Sequence, residues 1–144
     1  MKVDVEVQAE IARPVAVVAA YAGDPDNAPQ WYANIRSIEW RTDPPLRLGS
    51  EMDFVATFLG RRLAYTYEVV DLVPGERLVM QTAQGPFPMR TTYTWEPTET
   101  GTRMTLRNTG TPSGFSRMSA PVLSLAMRRA TTKDLQRLKA ILER

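Results

Sequence analysis

Tyr67, Thr82, Thr91 and Asn108 are the residues whose types and spacing in this chain could do chemistry. Each carries a hydroxyl or amide, and each falls at the same phase of an alternating run. Such groups orient a guest through hydrogen bonds or hold protons. The chain has no histidine and no cysteine. That removes Ser-His-Asp and Cys-His catalysis, a thiol nucleophile and a disulfide framework, and disfavours zinc or iron. Acid–base work then falls to carboxylates, tyrosines, lysines or ordered water, with Tyr67 and Tyr93 as proton-moving candidates.

The carboxylates offer less. Asp134 lies within the apolar stripe of the last helical pattern, where a carboxylate could be desolvated and its pKa raised. The edge of such a stripe opens to solvent, and an exposed Asp134 is the expectation. Asp53 and Glu68 fall opposite each other on an outer face, balanced by Arg61, Arg62 or Arg77. Arg90 and Arg107 also point outward. Asp24-Pro25-Asp26-Asn27 lacks the rest of a calcium loop and reads as a helix cap. No glycine-rich phosphate loop and no metal-ligand set is present, so no cofactor and no metal are expected.

Strands must position these groups. Val3, Val5, Val7, Ala9 and Ile11 alternate with Asp4, Glu6, Gln8 and Glu10, the mark of a half-buried strand. Pro14 opens a short helix that Gly23-Asp24-Pro25 stops, and a second one over about residues 26 to 33 carries Trp31 and Tyr32. Six strands follow, with almost every glycine and proline between them. From about Phe115 the pattern turns helical, with Leu123, Met127, Ala130, Thr131, Leu135, Leu138 and Leu142 on one stripe. Pro121 lies in its first turn or kinks it.

Turn chemistry then sets the faces. With Gly60-Arg61 as the central turn residues, Phe58 opposes Leu63, Ala56 opposes Tyr65, Phe54 opposes Tyr67 and Met52 opposes Val69, all on one face. Pro74-Gly75 puts Val69 opposite Met80 and Tyr67 opposite Thr82, unless a bulge shifts it. The turn near Phe87 puts Leu78 opposite Trp95, Met80 opposite Tyr93, Thr82 opposite Thr91 and Gln84 opposite Met89. Thr98 to Gly101 puts Trp95 opposite Met104, Tyr93 opposite Leu106, Thr91 opposite Asn108, and Glu96 beside Arg103 outside. A one-residue slip would invert a strand. An apolar row (Val69, Met80, Tyr93, Leu106) thus lies beside a polar row (Tyr67, Thr82, Thr91, Asn108). Burying such a row unpaired costs about 1–3 kcal/mol per group. The row therefore pairs internally and with a buried water, or it lines a cavity.

The 144 residues suit one domain, residues 1–144, and the net charge is +2. Hydrophobic residues make up 43% and charged ones 24%, an ordinary globular balance. The scattered arginines form no basic stripe, so no nucleic acid is expected. No apolar run reaches membrane-spanning length, and MKVDVEV has no apolar block, so neither stable membrane insertion nor a secretory signal is expected and the cytoplasm is the default location.

With PQWYANI in the second short helix, the central YEVVDLVPGERLVMQT, the strand GTRMTLRN and the closing DLQRLKAILE, nearly the whole chain resembles the SRPBCC superfamily. These are the Bet v 1-like, START-related helix-grip proteins, which include the polyketide cyclase/dehydrase and lipid-transport group. The resemblance implies an α+β helix-grip fold, β-α-α-β6-α, in which a curved seven-stranded antiparallel sheet wraps a long C-terminal helix. It also implies a hydrophobic cavity between sheet and helix, with Trp31 near its entrance or floor unless that ring simply packs in the core. The ligand-binding set is then Trp31, Phe54, Phe58, Tyr65, Tyr67, Met80, Thr82, Met89, Thr91, Tyr93, Leu106, Asn108, Leu123 and Met127.

Three functions compete. The first is carriage or sequestration of a small hydrophobic molecule such as a lipid, polyketide or aromatic metabolite. The second is a cofactor-independent polyketide cyclase or aromatase in the same cavity. The third is an interaction module that docks through a basic last helix (Arg117, Arg128, Arg129, Lys133, Arg137, Lys139) and a second apolar stripe (Phe115, Met118, Val122, Leu125), a stripe that covers the cavity mouth, forms a homodimer contact or touches a membrane surface. A cavity of several hundred Å³ favours the first two, and a buried, poorly paired carboxylate favours the enzyme.

Overall fold

A computed structural model describes residues 2–115 and 118–144. The element order is β1 (Val3–Ile11), α1 (Val15–Ala22), a 3-10 turn (Pro25–Asn27), α2 (Ala28–Trp31), β2 (Ile35–Trp40), β3 (Glu51–Phe58), β4 (Arg61–Val73), β5 (Arg77–Gln84), β6 (Met89–Pro97), β7 (Thr102–Gly110) and α3 (Ala120–Leu142). The strands form one antiparallel sheet in the order β1-β7-β6-β5-β4-β3-β2. This is the helix-grip architecture expected from the sequence. Among the described residues no helix is long and apolar enough to cross a membrane.

β1 buries its five apolar residues and exposes the four polar ones between them. The strand closes the sheet against β7, and α3 lies along it. Arg128 donates to the Glu6 carbonyl at 2.7 Å and Lys139 to the Glu10 carbonyl at 2.6 Å. Leu135 and Leu138 are buried on the helix face that meets the sheet. Burying such a leucine contributes about 1.5–3 kcal/mol. The Ser119 hydroxyl caps α3 by accepting from the Val122 amide at 3.4 Å, with Pro121 in the first turn.

The start of α3 corrects the expectation of a second stripe. Phe115 and Met118 precede the helix, and Phe115 is buried. Only Val122 (52% exposed) and Leu125 (51%) remain as exposed apolar groups there. Arg117 lies outside the described residues.

The register is shifted at two hairpins, in each case by an even step. Leu59 and Gly60, with φ of 51° and 77°, form the β3–β4 turn rather than Gly60-Arg61. Phe58 therefore opposes Arg61, Ala56 opposes Leu63, Phe54 opposes Tyr65, and Met52 opposes Tyr67. Two consecutive left-handed residues match the twist of the strands, and Leu59 takes the first despite its side chain. Asp53 consequently opposes Thr66, not Glu68. Its partners are Arg41 at 2.7 Å and the Thr66 hydroxyl at 2.6 Å, and the Thr66 bond is the leading cause holding its pKa below the usual value.

β4 and β5 pair as expected at Tyr67–Thr82 and Val69–Met80, with an irregularity on either side, at Thr66/Tyr67 and at Val69/Asp71. Across β5 and β6 the pairs are Leu78–Tyr93 and Met80–Thr91, two residues from expectation. β6 and β7 pair as expected, including Tyr93–Leu106, Thr91–Asn108 and Glu96–Arg103. Even shifts keep every side chain on its face, so the inner face is as expected while the rows are regrouped.

Outside, Arg107 makes a double hydrogen bond to Asp4 at 2.8 and 2.6 Å, and Arg90 bonds Gln81 at 2.8 Å. Neither serves the interior. Asp24 caps the 3-10 turn by accepting from the Asp26 amide at 3.0 Å.

Candidate functional site

Between the concave sheet face and α3 lies a cavity of about 150 Å³, counted as the space open to the centres of water molecules. It is smaller than the several hundred Å³ that would favour the binding and enzyme readings by size alone, yet has room for several waters or a small guest. Phe54, Phe58, Tyr65, Tyr67, Met80, Met89, Thr91, Tyr93 and Asn108 line it as strand alternation requires, and Leu123 and Met127 line it from α3. Three others of the expected set do not. Trp31 is 0% exposed and packs behind the cavity, its ring 4.1 Å from that of Tyr32 and 5.8 Å from that of Tyr93. Leu106 is fully buried against the core. Thr82 turns its hydroxyl onto the backbone of Met89, accepting from the amide at 2.9 Å and donating to the carbonyl at 3.1 Å.

The rest of the polar row is connected. The Thr91 hydroxyl donates to Asn108 Oδ1 at 2.7 Å, and its one proton is then spent. Tyr67 therefore donates to Thr91 Oγ1, at 2.8 Å. Burial pushes the Tyr67 phenol up to about 12, with the Thr91 bond opposing. This relay satisfies the groups deepest in the sheet and ends at Asn108 on the cavity wall.

A second polar group lies beside the relay, two residues further along β6. The Tyr32 and Tyr93 hydroxyls lie 2.5 Å apart. Burial raises both pKa values, and the nearby Asp134 charge adds to each shift. Only one of the two protons serves this bond, and the other has no acceptor among the described residues.

Asp134 overturns the expectation of solvent exposure. It is 4% exposed and lines the cavity. One hydrogen bond reaches it among the described residues, from the Ala33 amide to Oδ1 at 3.0 Å. Burial raises its carboxyl to about 6, against the Ala33 bond and the more distant Arg137 charge. Arg137, three residues on and thus on a neighbouring flank of the helix, is exposed and donates to the Gln30 carbonyl at 2.6 Å.

Three phenylalanines close one end. Phe115 meets Phe58 and Phe87 edge-on at 6.1 and 6.4 Å between centroids. Arg61 stacks on Phe115 at 5.6 Å and donates to the Ser113 carbonyl at 2.9 Å. The β3–β4 turn is thereby tied to the segment leading into α3.

The sequence profile for polyketide cyclase / dehydrase and lipid transport matches residues 2–143. The chain belongs to that polyketide cyclase / dehydrase and lipid transport family. An aromatase/cyclase from Streptomyces sp. R1128 has the same fold at 15% identity, with a TM-score of 0.79 over 100% of this chain and 95% of that one. A protein from Thermus thermophilus gives 19% identity, 97% and 95% coverage and a TM-score of 0.78. Ginseng major latex-like protein 151, from Panax ginseng, gives 13% identity, 98% and 97% coverage and a TM-score of 0.78. No curated protein sequence matches the chain.

In this member of the polyketide cyclase / dehydrase and lipid transport family, sequence reasoning missed Tyr32 and Phe87 as lining residues and misplaced Asp134, while Phe115 lines the cavity as one of the alternatives for its stripe had it. The Asp134 signal was present, as a carboxylate inside an apolar helical stripe. Tyr32 sits beside Trp31, and the α2–β2 connection turns Tyr32 inward while Trp31 backs it. Among the described residues there is no cluster of three histidine, cysteine or acidic side chains that could hold a metal.

Proposed function

We propose that this protein binds a small, largely apolar, aromatic-faced molecule in the cavity between sheet and α3. The observation that carries this reading is the lining itself. Aromatic and aliphatic side chains make most of the wall, and a few polar groups converge on it: Asn108 with its relay, and the Tyr32–Tyr93 pair with Asp134. Apolar burial at about 25 cal/mol per Å² supplies the affinity, and the polar groups set orientation. The family match supports the same reading.

Native mass spectrometry of freshly purified protein, with extraction and identification of what co-purifies, tests it. A retained small molecule of one-to-one stoichiometry, bound more weakly after Asn108→Leu, is the expected result. Persistent absence of any guest, or affinity untouched by Asn108→Leu and Thr91→Val, tells against it.

A second reading is favoured by one specific observation, the buried Asp134 whose carboxyl sits near 6. It makes the protein a cyclase or dehydratase of cofactor-independent kind, in keeping with the aromatase/cyclase that shares the fold. Asp134 would take a proton from a carbon beside a carbonyl. That carbon attacks a second carbonyl carbon of the same molecule, and the resulting alkoxide takes the proton back from Asp134, directly or through a tyrosine hydroxyl that Asp134 reprotonates. Positioning in the cavity supplies several kcal/mol of the barrier. A rate that rises with pH through about 6 and disappears in Asp134→Asn supports this reading.

A further inference from the structure

Among the residues that line the cavity, Asp134 is the one ionised group of ordinary pH, and no lysine or arginine joins it. Its carboxylate has a single hydrogen bond, from the Ala33 amide, and no ion pair among the described residues. Arg137, three residues on along α3, is exposed and engaged by the Gln30 carbonyl, so its charge reaches Asp134 without an ion pair. The titratable groups around it are the phenols of Tyr32, next to α2, and Tyr93, on β6. Neither can neutralise it. The site is thus a net negative charge in an aromatic chamber.

We propose that the guest enters with a protonated amine, its ammonium seated against the Asp134 carboxylate and the faces of the surrounding tyrosines. This deepens the binding reading above and rests on it. A carboxylate desolvated without a counter-ion is costly, and a ligand cation removes that cost on binding. Tyr32, Tyr65, Tyr67 and Tyr93 add ring faces that attract cations. An anionic guest meets the same charge as repulsion, with no basic side chain on the wall to offset it. A neutral guest leaves the carboxylate unpaired.

Calorimetry on the full chain at pH 8 tests this with three probes of similar size: phenethylamine, 2-phenylethanol and 3-phenylpropionate. The amine binds about tenfold or more tighter than the alcohol, and the carboxylate weakest of the three. In Asp134→Asn the alcohol still binds and the amine loses its advantage. A second measurement needs no variant. At pH 6, where the Asp134 carboxyl is near half-protonated, the amine releases about half a proton into buffer and the alcohol none. Equal binding of amine and alcohol to the wild-type chain, or no proton release, overturns the amine proposal alone. Failure of every probe, together with failure of naphthalene, overturns the cavity reading and this inference with it.

Discussion

The Asp134 carboxylate accepts a hydrogen bond at 3.0 Å from the amide of Ala33, 101 positions earlier in the chain. That contact joins the middle of α3 to the connection between α2 and β2, and it holds a carboxylate at the wall of an aromatic cavity. It also makes the protein's stability depend on pH in a defined direction.

Burial raises the Asp134 pKa from 3.8 to about 6, so the native chain holds this proton more tightly than the unfolded chain does. Its contribution is therefore full below the unfolded value and declines as pH rises through the interval to about 6. Ionising it costs up to about 3 kcal/mol. Asp134→Asn keeps the oxygen that Ala33 donates to and removes the charge. Urea unfolding at pH 4 and pH 8 should show that variant gaining on wild type as pH rises. Parallel pH profiles for the two proteins refute the assignment.

The relay from Tyr67 through Thr91 to Asn108 should behave as a unit. Thr91→Val removes the acceptor of a buried phenol and costs about 1–3 kcal/mol. Adding Tyr67→Phe to that variant should recover part of the loss, because the orphaned hydroxyl leaves with it. Simple additivity of the two losses in chemical denaturation contradicts the relay.

Four tyrosines, Tyr32, Tyr65, Tyr67 and Tyr93, have pKa values raised chiefly by burial. Their stabilising share is intact below the unfolded value of 10.0 and is lost as pH climbs through the folded values, about 12 for Tyr67. Ultraviolet titration should show these phenols ionising together with alkaline unfolding, not before it. Smooth titration of all tyrosines near 10 in a folded chain excludes their burial.

Arg61 fixes the mouth. Arg61→Ala frees the segment carrying Phe115, and exchange of a bound guest should quicken while the fold survives. Gly114→Ala should do the same, since a Cβ there falls 0.9 Å from Arg61 Nη1 and φ is +86°. Stopped-flow release rates equal to wild type in both variants dismiss the tie.

The inward direction of Phe54, Tyr65, Tyr67, Thr91 and Asn108 was legible in the sequence, because alternation sets parity whatever the turn does. The partner of each was less so. Leu59 in a left-handed conformation is costly for its type, and a reader of the sequence assigns the turn to Gly60 and Arg61 instead. That moves every β3–β4 pair by two and leaves each face intact. Asp134 was harder, because its burial depends on a distant amide and on α2 covering the helix, which local periodicity does not contain. Trp31 and Tyr32 show the same limit. Which of two adjacent aromatics looks inward is decided by the path of the chain after α2.

Binding of any apolar guest requires that space remain between the sheet and α3. Fluorescence titration with naphthalene, which has no polar group to anchor it elsewhere, measures that directly in wild type and in Ala56→Phe, where a larger side chain fills the wall. Saturable one-to-one binding to the wild-type chain, lost in a folded Ala56→Phe, is the predicted result. Absence of saturable binding, or equal binding by the filled variant, contradicts it.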